Sequence, residues 1–160
     1  MIRIVKIVLI ITVVLWGFFG ALGNILSWDG TRGAVAAVTS MVSFEGGAES
    51  WQATSSPIVI WLGALFITLS KLSAGVLCAV GAGRMWQSRN GSAADFLAAK
   101  SLALAGCGIA VIMLFGGFIV IAESWFELWR SESMGAVLSA AFRYAGMIAL
   151  IAIFVAMPED

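Results

Sequence analysis

Two cations stand well inside long apolar stretches of the chain. Lys71 lies within Leu-Phe-Ile-Thr-Leu-Ser-Lys-Leu-Ser-Ala-Gly, and Arg143 within Ser-Ala-Ala-Phe-Arg-Tyr-Ala-Gly-Met. Each costs about 2.5–3.5 kcal/mol at the centre of a membrane helix, so each must find acceptors, water or a counter-charge. The chemistry open to them is ion pairing, anion binding or proton exchange. No Asp or Glu falls in the core of any long apolar run. Lys71 therefore needs backbone carbonyls, a bound anion, internal water or a carboxylate from another chain. Thr68, Ser70 and Ser73 put hydroxyls beside it, while Asn24 and Tyr144 add hydrogen-bonding capacity elsewhere. For Arg143 the candidates are Glu123, Glu127, a loop carboxylate or snorkelling of its long stem. A proton or cation pump calls for an intramembrane acid or histidine, which this set lacks. It reads instead as an intramembrane polar site for an anion or a partner.

A second constellation is aromatic. In Glu123-Ser-Trp-Phe-Glu-Leu-Trp-Arg-Ser131 the pair Trp125 and Trp129 is four residues apart. On a helix continuing the preceding apolar run they share one face, with Phe126 beside them and Glu123 and Glu127 on the next face. Glu127 and Arg130 are spaced to pair. Such a segment is an anchor at the headgroup level or a docking motif, and Trp28, Trp51 and Trp61 extend the same belt. A third pattern concerns packing. Gly75, Ala79 and Gly83 recur every fourth residue, a small-residue stripe for close helix approach. Ala99 with Ala103, Ala136 with Ala140, and Ala145 with Ala149 offer similar faces.

What is missing narrows the function classes. There is no histidine, which excludes bis-histidine haem, histidine-ligated zinc, copper or non-haem iron, and every triad needing imidazole. Cys78 and Cys107 lie in apolar runs with no second pair, so neither a metal site nor a disulfide framework is expected. Nine basic and nine acidic residues cancel, leaving no basic field for nucleic acid. Nothing arranges a nucleophile, a base and an oxyanion site, so a non-enzymatic protein without cofactor or metal is expected.

The elements that must position these residues follow from hydropathy. With 61% apolar and 11% charged residues the chain has too few charges to cover a soluble domain of 160 residues. A spanning helix needs about 20 apolar residues, and four stretches qualify: 4–26, 57–83, 102–122 and 136–157. Barrel strands would be short and alternating; these runs are apolar all round. The expectation is an all-α membrane protein, one domain over residues 1–160, its four transmembrane helices in a compact bundle. Arg3 and Lys6 before an apolar run also suit a signal peptide, with Ala21 and Gly23 as small cleavage-site residues. The run exceeds the usual h-region of about 7–15 residues, so a retained helix is expected. One side holds Arg3, Lys6, Arg84, Arg89 and Lys100, the other only Arg32 and Arg130. The positive-inside rule then places both termini and the 84–100 loop in the cytoplasm, and the 27–56 and 123–134 loops outside. In the first outer loop, Val35, Val38, Met41 and Val42 fall at helical spacing over residues 33–43, predicting a short amphipathic helix on the outer leaflet. In the inner loop Asn90-Gly91 reads as a turn tip, and Ser92 with Asp95 as a cap.

With these residues laid out, the chain resembles a bacterial family of predicted small integral membrane proteins, domain of unknown function family 2165. The likeness is best in Glu123-Ser-Trp-Phe-Glu-Leu-Trp-Arg-Ser131, similar to that family's Glu-Trp-Phe-x-Met-Trp-Gln-Ser, and in Ala140-Ala-Phe-Arg143, similar to its Ala-Phe-Arg. Phe96, Lys100 and Asn24 resemble further family positions. Here Ser124 stands between Glu123 and the Trp-Phe pair, and Lys71 stands about where the family has an acidic residue. The resemblance implies four spans and a bacterial inner membrane, and implies no activity. Two functions are expected from the residues. The first is a non-catalytic accessory or scaffold subunit of a larger inner-membrane complex, respiratory or photosynthetic, with other subunits or further copies of itself as partners. The alternative is a small transporter or anionic-lipid-binding protein using Lys71 and Arg143.

Overall fold

The computed structural model describes residues 1–158; Glu159 and Asp160, the last two residues of the expected domain, lie outside the described residues. Helix α1 is Ile2–Leu26, α2 Trp28–Thr39, α3 Pro57–Gln87, α4 Ala93–Ala99 and α5 Ser101–Val111. Helix α5 runs without a break into a π-helical stretch, Ile112–Trp125, and α6 is Gly135–Ala156. Single 3-10 turns lie at Gly47–Glu49, Leu128–Arg130 and Glu132–Met134. Four helical rods are long and apolar enough to cross a bilayer: Ile2–Leu26, Pro57–Gln87, Ala93–Trp125 and Glu132–Ala156. No strand occurs among the described residues. The protein is an all-α integral membrane protein, its four spans packed together. Between 22% and 33% of each span's apolar window is buried in the bundle, and the rest is half-buried or exposed.

The chain packs α1 on α3, α3 on α5, and α6 on α5 and its π-helical continuation. Burial follows helical spacing: Ile7, Ile10 and Val13 on α1; Ala74, Cys78, Ala82 and Met85 on α3; Ala103, Cys107 and Ala110 on α5. Lipid tails are as apolar as these side chains, so association rests on how closely backbones approach. A Cβ built on Gly17 would stand 2.8 Å from the Lys71 carbonyl oxygen and 2.9 Å from the Gly75 Cα. On Gly106 it would stand 2.9 Å from the Ala74 carbonyl, while Gly81 abuts the Ala103 backbone. The expected stripe is thereby corrected. Gly75 does lie in a seam, but Gly83 has nothing within 4 Å. With half-buried Ala79 it lines a shallow apolar groove beside Ile7, Ile11 and Trp86. The small face of α3 turned to α5 is Ala74, Cys78 and Gly81.

Both termini meet at one end of the bundle. Arg3 donates to the carbonyls of Arg89 (3.0 Å) and Gly91 (2.7 Å), and its guanidinium lies over Phe96. Lys6 and Lys100, both buried, each donate to the Met157 carbonyl at the end of α6. Cations at a helix C-terminus satisfy carbonyls left without intrahelical donors. Here too Ser92 and Asp95 form a capping box on α4. The segments 27–56 and 124–134 occupy the opposite, loop end. Within the first of them the helix runs Trp28–Thr39 rather than 33–43. Val35 and Val38 face the bundle, Met41 is buried beyond the helix with φ 54°, and Val42 is exposed. The four residues therefore do not share one apolar helical face. Val35 packs so closely on α3 that a Cβ on Gly63 would stand 2.8 Å from its Cγ1.

Candidate functional site: a cavity headed by Lys71

Lys71 is held by a face of α1 built from Gly17, Gly20 and Asn24. Absence of a side chain at Gly20 lets the lysine stem lie across α1: a Cβ there would be 2.9 Å from Cδ and 3.5 Å from Nζ. One turn further on, Lys71 Nζ donates to Asn24 Oδ1 at 3.4 Å, and Asn24 Nδ2 donates to Thr68 Oγ1 at 3.4 Å. Both bonds are long, near the outer limit for useful interaction. Ser70 and Ser73, adjacent in sequence, make no hydrogen bond to the ammonium, and Asn24 is its one hydrogen-bond partner among the described residues.

From this polar end a cavity of about 790 Å³ opens toward the loop end. Leu62 and Phe66 of α3 form one wall, Phe118 and Ile121 of the π-helical stretch another, and Val35 and Val38 of α2 the roof. Lys71 is the one charged side chain lining it among the described residues. The size falls in the range of about 300–1,000 Å³ that small-molecule sites occupy, and an apolar wall with few placed polar groups is their usual composition. The π-helical backbone contributes to this shape. Its wider turns put Gly117, Ile121 and Ala122 on the cavity side, and a Cβ on Gly117 would crowd the Phe66 ring at 3.1 Å.

The roof is clasped by the two loop-end segments. Trp51 meets Trp125 edge-on, with ring centroids 5.2 Å apart. Gln52 donates to the Trp125 carbonyl and to Glu127 Oε1, both at 3.4 Å. Arg130 pairs with Glu127 at 2.9 Å, donates to the Glu45 carbonyl and covers the Phe44 ring. The helix expected to carry Trp125 and Trp129 on one face stops at Trp125. Phe126 donates back five residues to Ile121, Glu127 adopts φ 50°, and a 3-10 turn follows. Trp125, although half exposed, packs against Trp51, Phe126 is buried against the cavity, Trp129 is exposed, and Glu123 is half-buried.

The two intramembrane cations are not brought together. Arg143 is exposed on the lipid-facing side of α6, outside the cavity, and neither Glu123 nor Glu127 pairs with it. Tyr144, also exposed, packs its ring 6.2 Å from that of Trp16. The sequence reading missed Gly20 and Gly17, although their spacing with Asn24 marks one helical face. It also missed the buried pair Lys6 and Lys100, whose positions at the edges of apolar runs read as topology signals.

No curated protein and no solved structure matches the chain. The family model for predicted small integral membrane proteins, domain of unknown function 2165, matches residues 2–158, so this four-span chain belongs to that family.

Proposed function

We propose that this protein binds an amphiphile drawn from the surrounding bilayer, its polar head against Lys71 and Asn24 and its apolar part along the cavity. The observation that carries this reading is an ammonium with one long hydrogen bond among the described residues, lining a largely apolar cavity of about 790 Å³. A lysine buried for packing alone would be matched by a carboxylate or several carbonyls. Lys71 instead keeps donors for a further acceptor. We read the role as binding or carriage: Lys71 is the one titratable side chain lining the cavity among the described residues, and no second acid or base stands beside it there to share a reaction. The test is native mass spectrometry of the protein released from membranes or nanodiscs. A retained amphiphile is expected in wild type and is lost when Ala34→Trp fills the cavity from α2. Absence of any such species in both would overturn the reading.

A second reading, the accessory subunit of a larger complex, draws on Arg143. A guanidinium on the lipid-facing side of α6, with no ion-pair partner among the described residues, suits a partner helix carrying an acid. Copurification of larger subunits in mild detergent, lost on Arg143→Leu, would favour this role; recovery of a lone chain from both would count against it. In either reading the concentration of Arg3, Lys6, Arg84, Arg89 and Lys100 at the termini end supports a cytoplasmic placement of that end in a bacterial inner membrane.

A further inference from the structure

Resting on the cavity reading, the geometry points to a narrower ligand class: we infer that the occupant is a single-chain amphiphile with a carboxylate head, a long-chain fatty acid in chemical type. Three features of the site lead there. The first is charge. Lys71 brings one positive charge and no acid lines the cavity among the described residues, so a monoanion leaves the pair neutral. Asn24 and Thr68 beside it form a short polar patch, suited to a head of two oxygens rather than a sugar or a phosphodiester.

The second is depth. Lys71 stands near the middle of α3, Pro57–Gln87, about 20 Å along the axis from its loop-end start at about 1.5 Å per residue. A permanently ionised phosphate head does not travel to that depth through hydrocarbon, whereas a carboxylic acid has a neutral form that does, and it can ionise on meeting the ammonium. The third is volume. A chain carbon takes up about as much space as a water molecule in the liquid, roughly 30 Å³. Sixteen carbons then need roughly 500 Å³, which a cavity of about 790 Å³ accommodates as a single chain. Tail burial does not by itself select the ligand, because leaving lipid for an apolar cavity exchanges like for like. Selection falls on the head.

The experiment titrates radiolabelled palmitic acid, hexadecan-1-ol and dipalmitoyl phosphatidylglycerol against the purified full chain in a maltoside detergent. Wild type, Lys71→Met and Lys71→Arg are compared. Palmitate is expected to bind wild type at least about tenfold more tightly than the alcohol, a preference abolished by Lys71→Met and partly kept by Lys71→Arg. The comparison of acid with alcohol on wild type needs no variant, so it stands even if Lys71→Met misfolds. Equal affinity for acid and alcohol would overturn the inference. Lys71-dependent binding of phosphatidylglycerol without palmitate would overturn the carboxylate class and leave the cavity reading standing. Binding of none of the three, with no native ligand in the mass spectrum, would overturn both.

Discussion

Replacing Lys71 by Met should make the empty protein more stable while removing what the site is for. Methionine matches the lysine stem in length and flexibility and carries no charge. Insertion scales place lysine at about 2.5–3.5 kcal/mol unfavourable at a helix centre, and the protein returns little of that. The contact with Asn24, at 3.4 Å, is worth at most about 1 kcal/mol, and its loss strands an amide carbonyl at a cost of about 1 kcal/mol more. The net expectation is a gain of about 0.5–1.5 kcal/mol. For a chain of this size that corresponds to a rise of about 1–6 °C in thermal midpoint, read by unfolding in detergent. Asn24→Leu sharpens the test because the reasoning requires its sign to change with background. Alone, it removes the ammonium's acceptor and should destabilise by about 1–2 kcal/mol; combined with Lys71→Met, it removes the stranded amide and should stabilise by about 1 kcal/mol. A fall in midpoint for Lys71→Met, or one sign for Asn24→Leu in both backgrounds, would refute the view that the site holds an under-partnered cation.

The remaining predictions concern the scaffold. Gly17→Val drives side-chain atoms into the α3 backbone, where even a Cβ would sit 2.8 Å from the Lys71 carbonyl. It should cost about 3 kcal/mol or lose the folded species in size-exclusion chromatography, whereas Gly23→Ala, with nothing within 4 Å, should be neutral or slightly stabilising. Gly20→Ala pushes only on the flexible lysine stem, so it should lower amphiphile affinity several-fold with the thermal midpoint shifted by less than about 1 kcal/mol equivalent, by ligand titration beside a melt. Ser92→Ala removes the capping box of α4 and should cost about 1 kcal/mol, seen as a lower midpoint with unchanged ligand binding.

The spans were legible because about 20 apolar residues in a row admit few other fates, and the four observed rods contain nearly all of each expected run. Lys71 and Asn24 were legible as residue types with something to do. Their meeting was not, since 47 positions separate them and the contact depends on where α1 crosses α3. Gly20 shows the same limit: its function lies in the space it leaves, which has no meaning until the lysine that fills it is placed. Helix α2 starts ahead of the expected residues 33–43: glycines such as Gly30 and Gly33 weaken a helix, yet packing of Val35 on α3 accompanies a helix that runs through both. The shared helical face expected for Trp125 and Trp129 is absent for a converse reason. Helical spacing was there, but Leu128 is drawn into the bundle at 1% exposure, and the chain turns at Glu127 to bring it in. The π-helical stretch left only the Gly116-Gly117 pair as a trace in the sequence.

How one bundle comes to hold both a sealed half and a cavity is answered along α1. Where Gly17 and Gly20 stand, α3 atoms come within 3 Å of an added Cβ; at Gly23, three residues on, nothing lies within 4 Å. Open space beside α1 therefore begins just beyond Lys71. Toward the termini end the space between rods is filled by Ala74, Cys78, Cys107 and Met85, and both terminal segments are tied by Arg3, Lys6 and Lys100. Toward the loop end the rods are spread, and α2 folds back over the gap without filling it. Lys71 sits at the boundary between the two regimes. A cation placed lower would be sealed among small side chains with no room for an anion, and one placed higher would reach the headgroups and need none. Its cost is borne at the depth where the fold changes from packed to open, which is why the glycines of the α1–α3 crossing belong to the site as much as the lysine does.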